Sequence, residues 1–86
     1  MENTVMKLGI YTIEKTLFEG DVKEIVVKTV TGELTVLDNH APFVTRTIKA
    51  PLSIINDKGE KKFFDIGEGF LEVEPQSRVV VLIDAQ

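Results

Sequence analysis

The single histidine of this 86-residue sequence, His40, lies in the segment GELTVLDNHAP (32–42) and is the one imidazole that could serve as a general base. Nucleophilic catalysis pairs such a base with Ser, Thr or Cys. The serines, Ser53 and Ser77, lie in predicted strand or turn positions with no nucleophile-elbow motif around them, and cysteine is absent. An enzyme that uses His40 as its base is one alternative, but it lacks partner residues. We therefore interpret His40 as a contact or structural residue.

Other residue groups that could do chemistry also lack a required member. The acidic pairs Asp65/Glu68 and Glu72/Glu74 would serve a glycosidase only across a cleft of defined width, and we interpret them as solvated charges. One histidine without cysteine cannot form a zinc site, and no segment has the alternating acidic residues of an EF-hand loop. The GEG motif (67–69) lacks the third glycine of a dinucleotide loop, so it predicts a bulge or a tight strand crossing. We expect no catalytic residue, no metal and no cofactor.

Composition and charge limit the partners. The sequence is 43% hydrophobic and 28% charged with a net charge of −4, as in a folded acidic domain. Its most basic stretch, KGEKK (58–62), contains a glutamate and reads as a solvated turn, so we expect no nucleic-acid binding. The longest apolar run, 79–83, is far below the roughly 20 residues of a membrane span, and the first residues lack a signal-peptide pattern. We predict a single domain over residues 1–86 without direct membrane insertion.

The elements that must position these residues are β-strands, because apolar and polar residues alternate along most of the chain and no window has a helical repeat. Turns are predicted at Thr31–Gly32, at NDKG (56–59) and at residues 75–77. The segment EKTLFEGD (14–21) is predicted to interrupt the strands. In VVVLI (79–83), adjacent apolar residues predict cover on both faces, by the core and by a neighbouring strand or a partner protein. The expected fold is all-β, an antiparallel β-sandwich or flattened barrel of about 8–10 short strands.

Three segments, in order and at the right spacing, resemble a known family. They are LFEGDVKEIVV (17–27), TGELTVLDNHAP (31–42) and FFDIGEGFLEVEPQSRVVVLIDA (63–85). Together they resemble the N-terminal β-sandwich domain of the epsilon subunit of F-type ATP synthases. The resemblance implies a ten-stranded sandwich in the rotary central stalk, bound to the gamma subunit and resting on the polar loops of the membrane c-ring.

The resemblance also implies roles for particular residues. It places the Gly-Glu-Leu turn and the His-Ala-Pro loop at one end of the sandwich, which assigns ring contact to Glu33, Asp38, Asn39 and His40. It makes Thr12 a candidate contact of the gamma subunit. The implied function is a non-catalytic rotor adaptor that couples proton- or sodium-driven rotation to ATP synthesis. Such a subunit lies peripherally at the cytoplasmic face of the cell membrane, or in an organelle equivalent.

Three departures from the family pattern limit what the resemblance implies. Asp38 and Asn39 stand where the family usually has Pro-Gly, and both remain turn formers. Glu68 separates two glycines that are commonly adjacent. The family usually continues into a helical hairpin that senses ATP and inhibits hydrolysis, whereas this sequence ends at Gln86, so neither property nor nucleotide binding is expected of these residues. The alternative from another class is a free-standing β-sandwich that binds a small ligand or a carbohydrate.

Overall fold

The computed structural model describes residues 5–84, which form eight strands. In chain order they are β1 (Met6–Tyr11), β2 (Thr16–Thr29), β3 (Gly32–Leu37), β4 (Phe43–Thr47), β5 (Ala50–Asn56), β6 (Lys61–Ile66), β7 (Gly69–Glu74) and β8 (Arg78–Ile83). Over residues 5–84 no helix is present that could cross a membrane. The all-β prediction is confirmed, with a strand number at the lower end of the expected range.

The strands form two groups that share the 14-residue strand β2. The first part of β2 pairs with β1, and the order continues through β8 and β7 to β4. The second part of β2 lies between β3 and β5, and β6 follows β5 at the edge. A register shift between Val22 and Glu24 marks the bend between the two parts, as a β-bulge does. One residue pair, Thr29 with Thr47, joins β4 to the end of β2 and brings the two groups together.

Both groups bury their inner faces in one hydrophobic core. Buried side chains of β1, β7 and β8 and buried side chains of the second group belong to one hydrophobic cluster. The core side chains are Met6, Leu8, Ile10, Val22, Ile25, Val27, Val36, Leu52, Ile54, Ile66, Leu71, Val73, Val79, Val81 and Ile83. Most of them alternate with more exposed positions along their strands, as predicted from the period-two alternation of the sequence.

Two features of the predicted strands are corrected by the structure. The segment 14–21 does not interrupt the sheet, because β2 begins at Thr16 and its Gly20 pairs with Leu8. Leu17 and Phe18 are partly buried against the core, which compensates for the charge and the glycine beside them. The sheet is also not wholly antiparallel: β1 and β8 pair in parallel. They lie at opposite ends of the described chain, so no tight turn forces them to run antiparallel.

The predicted turns are confirmed. Asn56 closes the β5–β6 hairpin, since its Oδ1 accepts bonds from the backbone N–H groups of Lys58 and Glu60, both at 2.9 Å. The turn at 75–77 is unusual because two residues other than glycine, Gln76 and Ser77, have φ of 67° and 58°. Gly69 lies where a methyl group would overlap the Leu82 carbonyl oxygen. The tight crossing predicted for the GEG motif is therefore present at its second glycine.

Candidate partner-binding surfaces

The β2–β3 turn (residues 29–33) carries Glu33 and is braced from within. The Thr29 hydroxyl is buried and donates to the Gly32 carbonyl oxygen at 2.8 Å, and it accepts from the Thr31 N–H at 3.2 Å. The turn is also bonded to β4, because the Val30 N–H donates to the Arg46 carbonyl oxygen at 3.2 Å. Glu33 is exposed and lies opposite Lys28. The turn therefore presents a carboxylate on a rigid support.

The 38–42 loop follows β3 and carries Asp38, Asn39 and His40. The Ser77 hydroxyl donates a short hydrogen bond to the Asp38 carboxylate, which ties the loop to the β7–β8 turn. Asn39 has a φ of 67°, in the left-handed region that Asn adopts more readily than most residues. The His40 ring lies 5.0 Å from the Phe43 ring, centroid to centroid. Asp38 and Asn39 thus complete a turn without Pro-Gly, as predicted, and the negative charge of Asp38 is engaged by Ser77.

The geometry of His40 does not support a catalytic role. Its Nδ1–H donates to the Ala41 carbonyl oxygen at 2.9 Å, so this nitrogen is engaged by the backbone of the adjacent residue. The nearest acid along the chain, Asp38, bonds to Ser77. Within residues 5–84, no three His, Cys, Asp or Glu side chains come together as a metal site. His40 is exposed at the surface and is suited to contact with another molecule.

The structure places Glu33 near the start of β3 and His40 just beyond its end. Glu33 is the second residue of β3, whereas Asp38 follows its last residue, Leu37. At about 3.3 Å per residue, the extended strand alone separates Glu33 from Leu37 by about 13 Å. An interface of standard size covers about 800 Å² on each partner, so this distance lies within the span of a single contact. Ring contact by Glu33, Asp38, Asn39 and His40 stays a prediction, with Glu33 at one end of β3 and the other three residues at the other end.

Thr12, the predicted gamma-facing residue, shapes the turn between β1 and β2. Its hydroxyl oxygen accepts from the N–H groups of Glu14 at 3.1 Å and Lys15 at 3.0 Å, and its own N–H donates to the Lys15 carbonyl oxygen at 2.8 Å. Thr12 is half-buried, and the residue that projects from this turn is Ile13, whose exposed fraction is 94%. Thr12 therefore forms the turn, and the turn displays Ile13 to solvent.

The outer face of the first strand group carries an apolar surface. The strand registers place Arg46, Phe70, Leu82 and Tyr11 side by side across β4, β7, β8 and β1. Phe70 and Leu82 are each more than half exposed, and Val44 lies nearby on β4 with 62% exposure. The Arg46 guanidinium lies 5.9 Å from the Phe70 ring centroid. We call Tyr11, Val44, Phe70 and Leu82 the outer apolar face.

Tyr11 lies flat at the border of this face. A methyl group on Gly9 would overlap the Tyr11 ring, so the glycine makes room for the ring to lie on the strand. The Tyr11 hydroxyl donates to the Glu19 carboxylate at 2.7 Å. That hydrogen bond raises the pKa of Tyr11 above its usual value of 10.0, so the phenol remains a donor at physiological pH. The signal for this face in the sequence is the two-sided apolar run 79–83, from which Leu82 points outward.

Comparisons of the sequence with family models and with curated proteins indicate the same family. Residues 5–86 match the family described as the ATP synthase delta/epsilon chain, β-sandwich domain. The ATP synthase epsilon chain of Clostridium novyi is 39% identical over 79 residues, which cover 92% of this chain and 60% of that relative. The epsilon chain of Ruminococcus albus is 36% identical over 81 residues, 94% of this chain and 60% of that relative. This chain thus spans about three fifths of the length of these curated relatives.

Solved structures share the fold. A chain in the cryo-EM structure of the Euglena gracilis mitochondrial ATP synthase, comprising OSCP, F1 and c-ring, has a TM-score of 0.88 at 22% identity, over 94% of this chain and 51% of that one. A chain in the Tetrahymena thermophila mitochondrial ATP synthase central stalk and c-ring has a TM-score of 0.77 at 18% identity, over 98% of this chain and 66% of that one. At these identities, the likeness supports the fold alone.

Proposed function

Since the chain belongs to the family of ATP synthase delta/epsilon β-sandwich domains, we propose that it is a non-catalytic central-stalk subunit of a rotary F-type ATP synthase. In this role it joins the gamma subunit to the c-ring, so that ion-driven rotation reaches the catalytic head. The match over residues 5–86 is the observation that carries the proposal. Two separate contact sites on one rigid sandwich are the arrangement that such an adaptor requires.

The gamma subunit is assigned to the outer apolar face. Its exposed Phe70, Leu82 and Val44 offer apolar area with an arginine beside it, a composition typical of the centre of a protein interface. Two loops border the face: the Thr12–Lys15 turn follows β1, and the 38–42 loop precedes β4. Ile13 and His40 project there as edge contacts. Thr12 contributes by holding its turn in shape.

The c-ring is assigned to the β2–β3 turn. Polar loops of a ring favour a partner that offers charge and hydrogen-bond acceptors, and Glu33 supplies a carboxylate there. The braced Thr29 hydroxyl limits movement of that carboxylate, which suits a contact that transmits torque. The sequence prediction also assigned Asp38, Asn39 and His40 to the ring; because they lie at the other end of β3, in the loop that precedes β4, we propose that they meet the gamma subunit instead. The subunit is peripheral to the membrane, held at the cytoplasmic face through these partners, and needs no cofactor.

Binding to purified gamma subunit of the same species tests the proposal. We expect Phe70→Ser to weaken gamma binding by about 10- to 100-fold, because truncating a central aromatic of an interface costs about 1.4–3 kcal/mol. Phe63→Ser is the matched control: Phe63 is 66% exposed on the outer face of the second strand group, and its loss should change affinity by less than about twofold. Equal effects of the two changes, or no binding by the unaltered chain, would contradict the assignment.

Binding of the gamma-loaded subunit to purified c-ring tests the second contact. Glu33→Gln should weaken it several-fold and more strongly at low ionic strength, because charge contacts are screened by salt. Glu14→Gln, an exposed acid in the Thr12–Lys15 turn, makes the same chemical change away from the proposed ring contact. A ring affinity that responds equally to both would indicate a general charge effect rather than a contact at Glu33.

A further inference from the structure

Strand β6 forms an open edge of the second strand group. It pairs with β5 on one side, and over residues 5–84 no other strand pairs with it. An edge strand presents backbone N–H and C=O groups that can pair with a strand from another molecule. What such an edge accepts depends on which backbone groups and which side chains it turns outward.

The β5–β6 hairpin identifies those backbone groups. The Asn56 N–H donates to the Glu60 carbonyl oxygen at 2.9 Å, so these two residues form a hydrogen-bonded pair. Hydrogen-bonded and non-hydrogen-bonded pairs alternate along an antiparallel ladder. In the observed register, the next pair, Ile55 with Lys61, is therefore non-hydrogen-bonded, and so is Ser53 with Phe63. The backbone groups of Lys61 and Phe63 consequently point away from β5, toward the open edge.

Pro51 gives independent support for this alternation. It pairs with Asp65, which is also a non-hydrogen-bonded position by the same count. A proline has no N–H to donate to β6, so a strand can accept it only where no such bond is needed. The backbone of Asp65 thus has the same orientation as that of Lys61 and Phe63.

The side chains at these three positions are complementary to themselves. Lys61, Phe63 and Asp65 alternate along β6 on its solvent-facing side; Phe63 is 66% exposed, and the Lys61 ammonium lies 5.5 Å from its ring centroid. If a second β6 runs antiparallel with Phe63 opposite Phe63, each Lys61 lies opposite an Asp65. A carboxylate accepts several donors, so Asp65 can take this bond in addition to its contacts within the chain.

We propose that β6 pairs with β6 of a second copy of this chain about a two-fold axis at Phe63. The pairing joins three residue positions, each with edge-directed N–H and C=O groups, and places one aromatic pair between two opposite-charge pairs. It is isologous and uses the same edge of both copies, so it closes at a dimer. The paired surface is small, so the association is weak and depends on concentration. It uses the open edge of β6, which carries none of the residues proposed for the gamma and ring contacts.

Sedimentation equilibrium of the purified chain over about 5 µM to 1 mM tests this pairing. The average mass should rise from 9.6 kDa toward twice that value. Lys61→Asp places like charges opposite each other at two symmetric positions and should weaken the dimer about tenfold. The exchanged double variant Lys61→Asp/Asp65→Lys restores opposite charges and should return the association to within about threefold of the original.

Lys62→Asp is the matched control. It changes the net charge by the same amount at the next residue, whose backbone bonds toward β5 and whose side chain lies on the other side of the strand. It should leave the association within about threefold. Should a charge variant fail to fold, as shown by a lost thermal transition, Phe63→Ser decides, because it removes the central pair from an exposed position. The proposal is overturned if the unaltered chain stays at the monomer mass throughout, if Lys61→Asp and Lys62→Asp weaken association equally, or if mass grows beyond the dimer.

Discussion

The two ends of β3 differ in how they are held. The β2–β3 turn is fastened from inside, by the buried Thr29 hydroxyl and by backbone bonds to β4. The 38–42 loop is fastened at the surface, by the Asp38–Ser77 hydrogen bond and by the contact of His40 with Phe43. The first end is therefore held by a buried hydroxyl, whereas the second is held by contacts at or near the surface. In the proposed function, the first end meets the c-ring and the second end meets the gamma subunit.

Thr29→Val should have the largest effect on stability. The change keeps the shape of the side chain but removes a buried hydroxyl that bonds to the Gly32 carbonyl oxygen and the Thr31 N–H. Unsatisfied polar groups in such a site cost about 2 kcal/mol in the free energy of unfolding. Chemical denaturation measures this cost, with Thr35→Val, an exposed site on β3, as the control expected to change stability by less than about 0.5 kcal/mol. Equal losses would show that the β2–β3 turn is not braced by Thr29.

Removal of the Asp38–Ser77 bond should have a smaller effect. Ser77→Ala takes away a partly buried donor to a carboxylate, and we expect a loss of about 1–1.5 kcal/mol. A double-mutant cycle with Asp38→Ala isolates the interaction between the two side chains. Because the hydrogen bond needs both side chains, we expect the second substitution to lower the free energy of unfolding only slightly once the first has been made. Fully additive losses would mean that the two residues stabilise the loop independently.

Glycine substitutions distinguish the two strained turns. Gln76 and Asn39 both have φ of 67°, but Asn adopts this conformation more readily than Gln. We therefore expect Gln76→Gly to stabilise the fold by about 1 kcal/mol and Asn39→Gly by about half as much. Thermal unfolding of the two variants shows which substitution stabilises the fold more. The reverse order would indicate that the 38–42 loop, rather than the β7–β8 turn, stores more of the backbone strain.

His40→Ala should have the smallest effect on stability. The side chain is exposed, its hydrogen bond is to the adjacent residue, and its remaining contact is with Phe43. We expect a change below about 0.5 kcal/mol in the free energy of unfolding, together with several-fold weaker gamma binding. Calorimetric unfolding and a gamma titration measure the two effects on the same sample. A large loss of stability would make His40 a structural residue of the loop.

Much of the fold follows from local sequence signals. Alternation gives the strands, Asn56 and Gly59 give the β5–β6 hairpin, and the two-sided apolar run 79–83 indicates the outer apolar face. These predictions succeed because each signal involves only residues that are neighbours along the chain. The GEG motif is equally informative, since a glycine in a strand indicates a close approach and Gly69 makes one with Leu82.

Other features depend on residues far apart and were missed or misplaced. Nothing local predicts that β1 pairs in parallel with β8, or that Asp38 meets Ser77, 39 residues away. The start of β2 was missed because Glu19 and Gly20 are typical of a loop. They form a strand here because they pair with β1, where Leu8 lies opposite Gly20. The separation of Glu33 from His40 along β3 is different, because the predicted strand between them already implied it.

Site-specific cross-linking tests the central claim, that opposite ends of β3 meet different partners. The chain contains no cysteine, so Glu33→Cys and His40→Cys each introduce a single reactive thiol. Each variant is assembled with gamma subunit and c-ring and treated with a short thiol-directed photo-cross-linker. We predict that the Glu33→Cys variant cross-links to the c-ring and the His40→Cys variant to the gamma subunit. Cross-linking of both variants to the same partner would contradict the account.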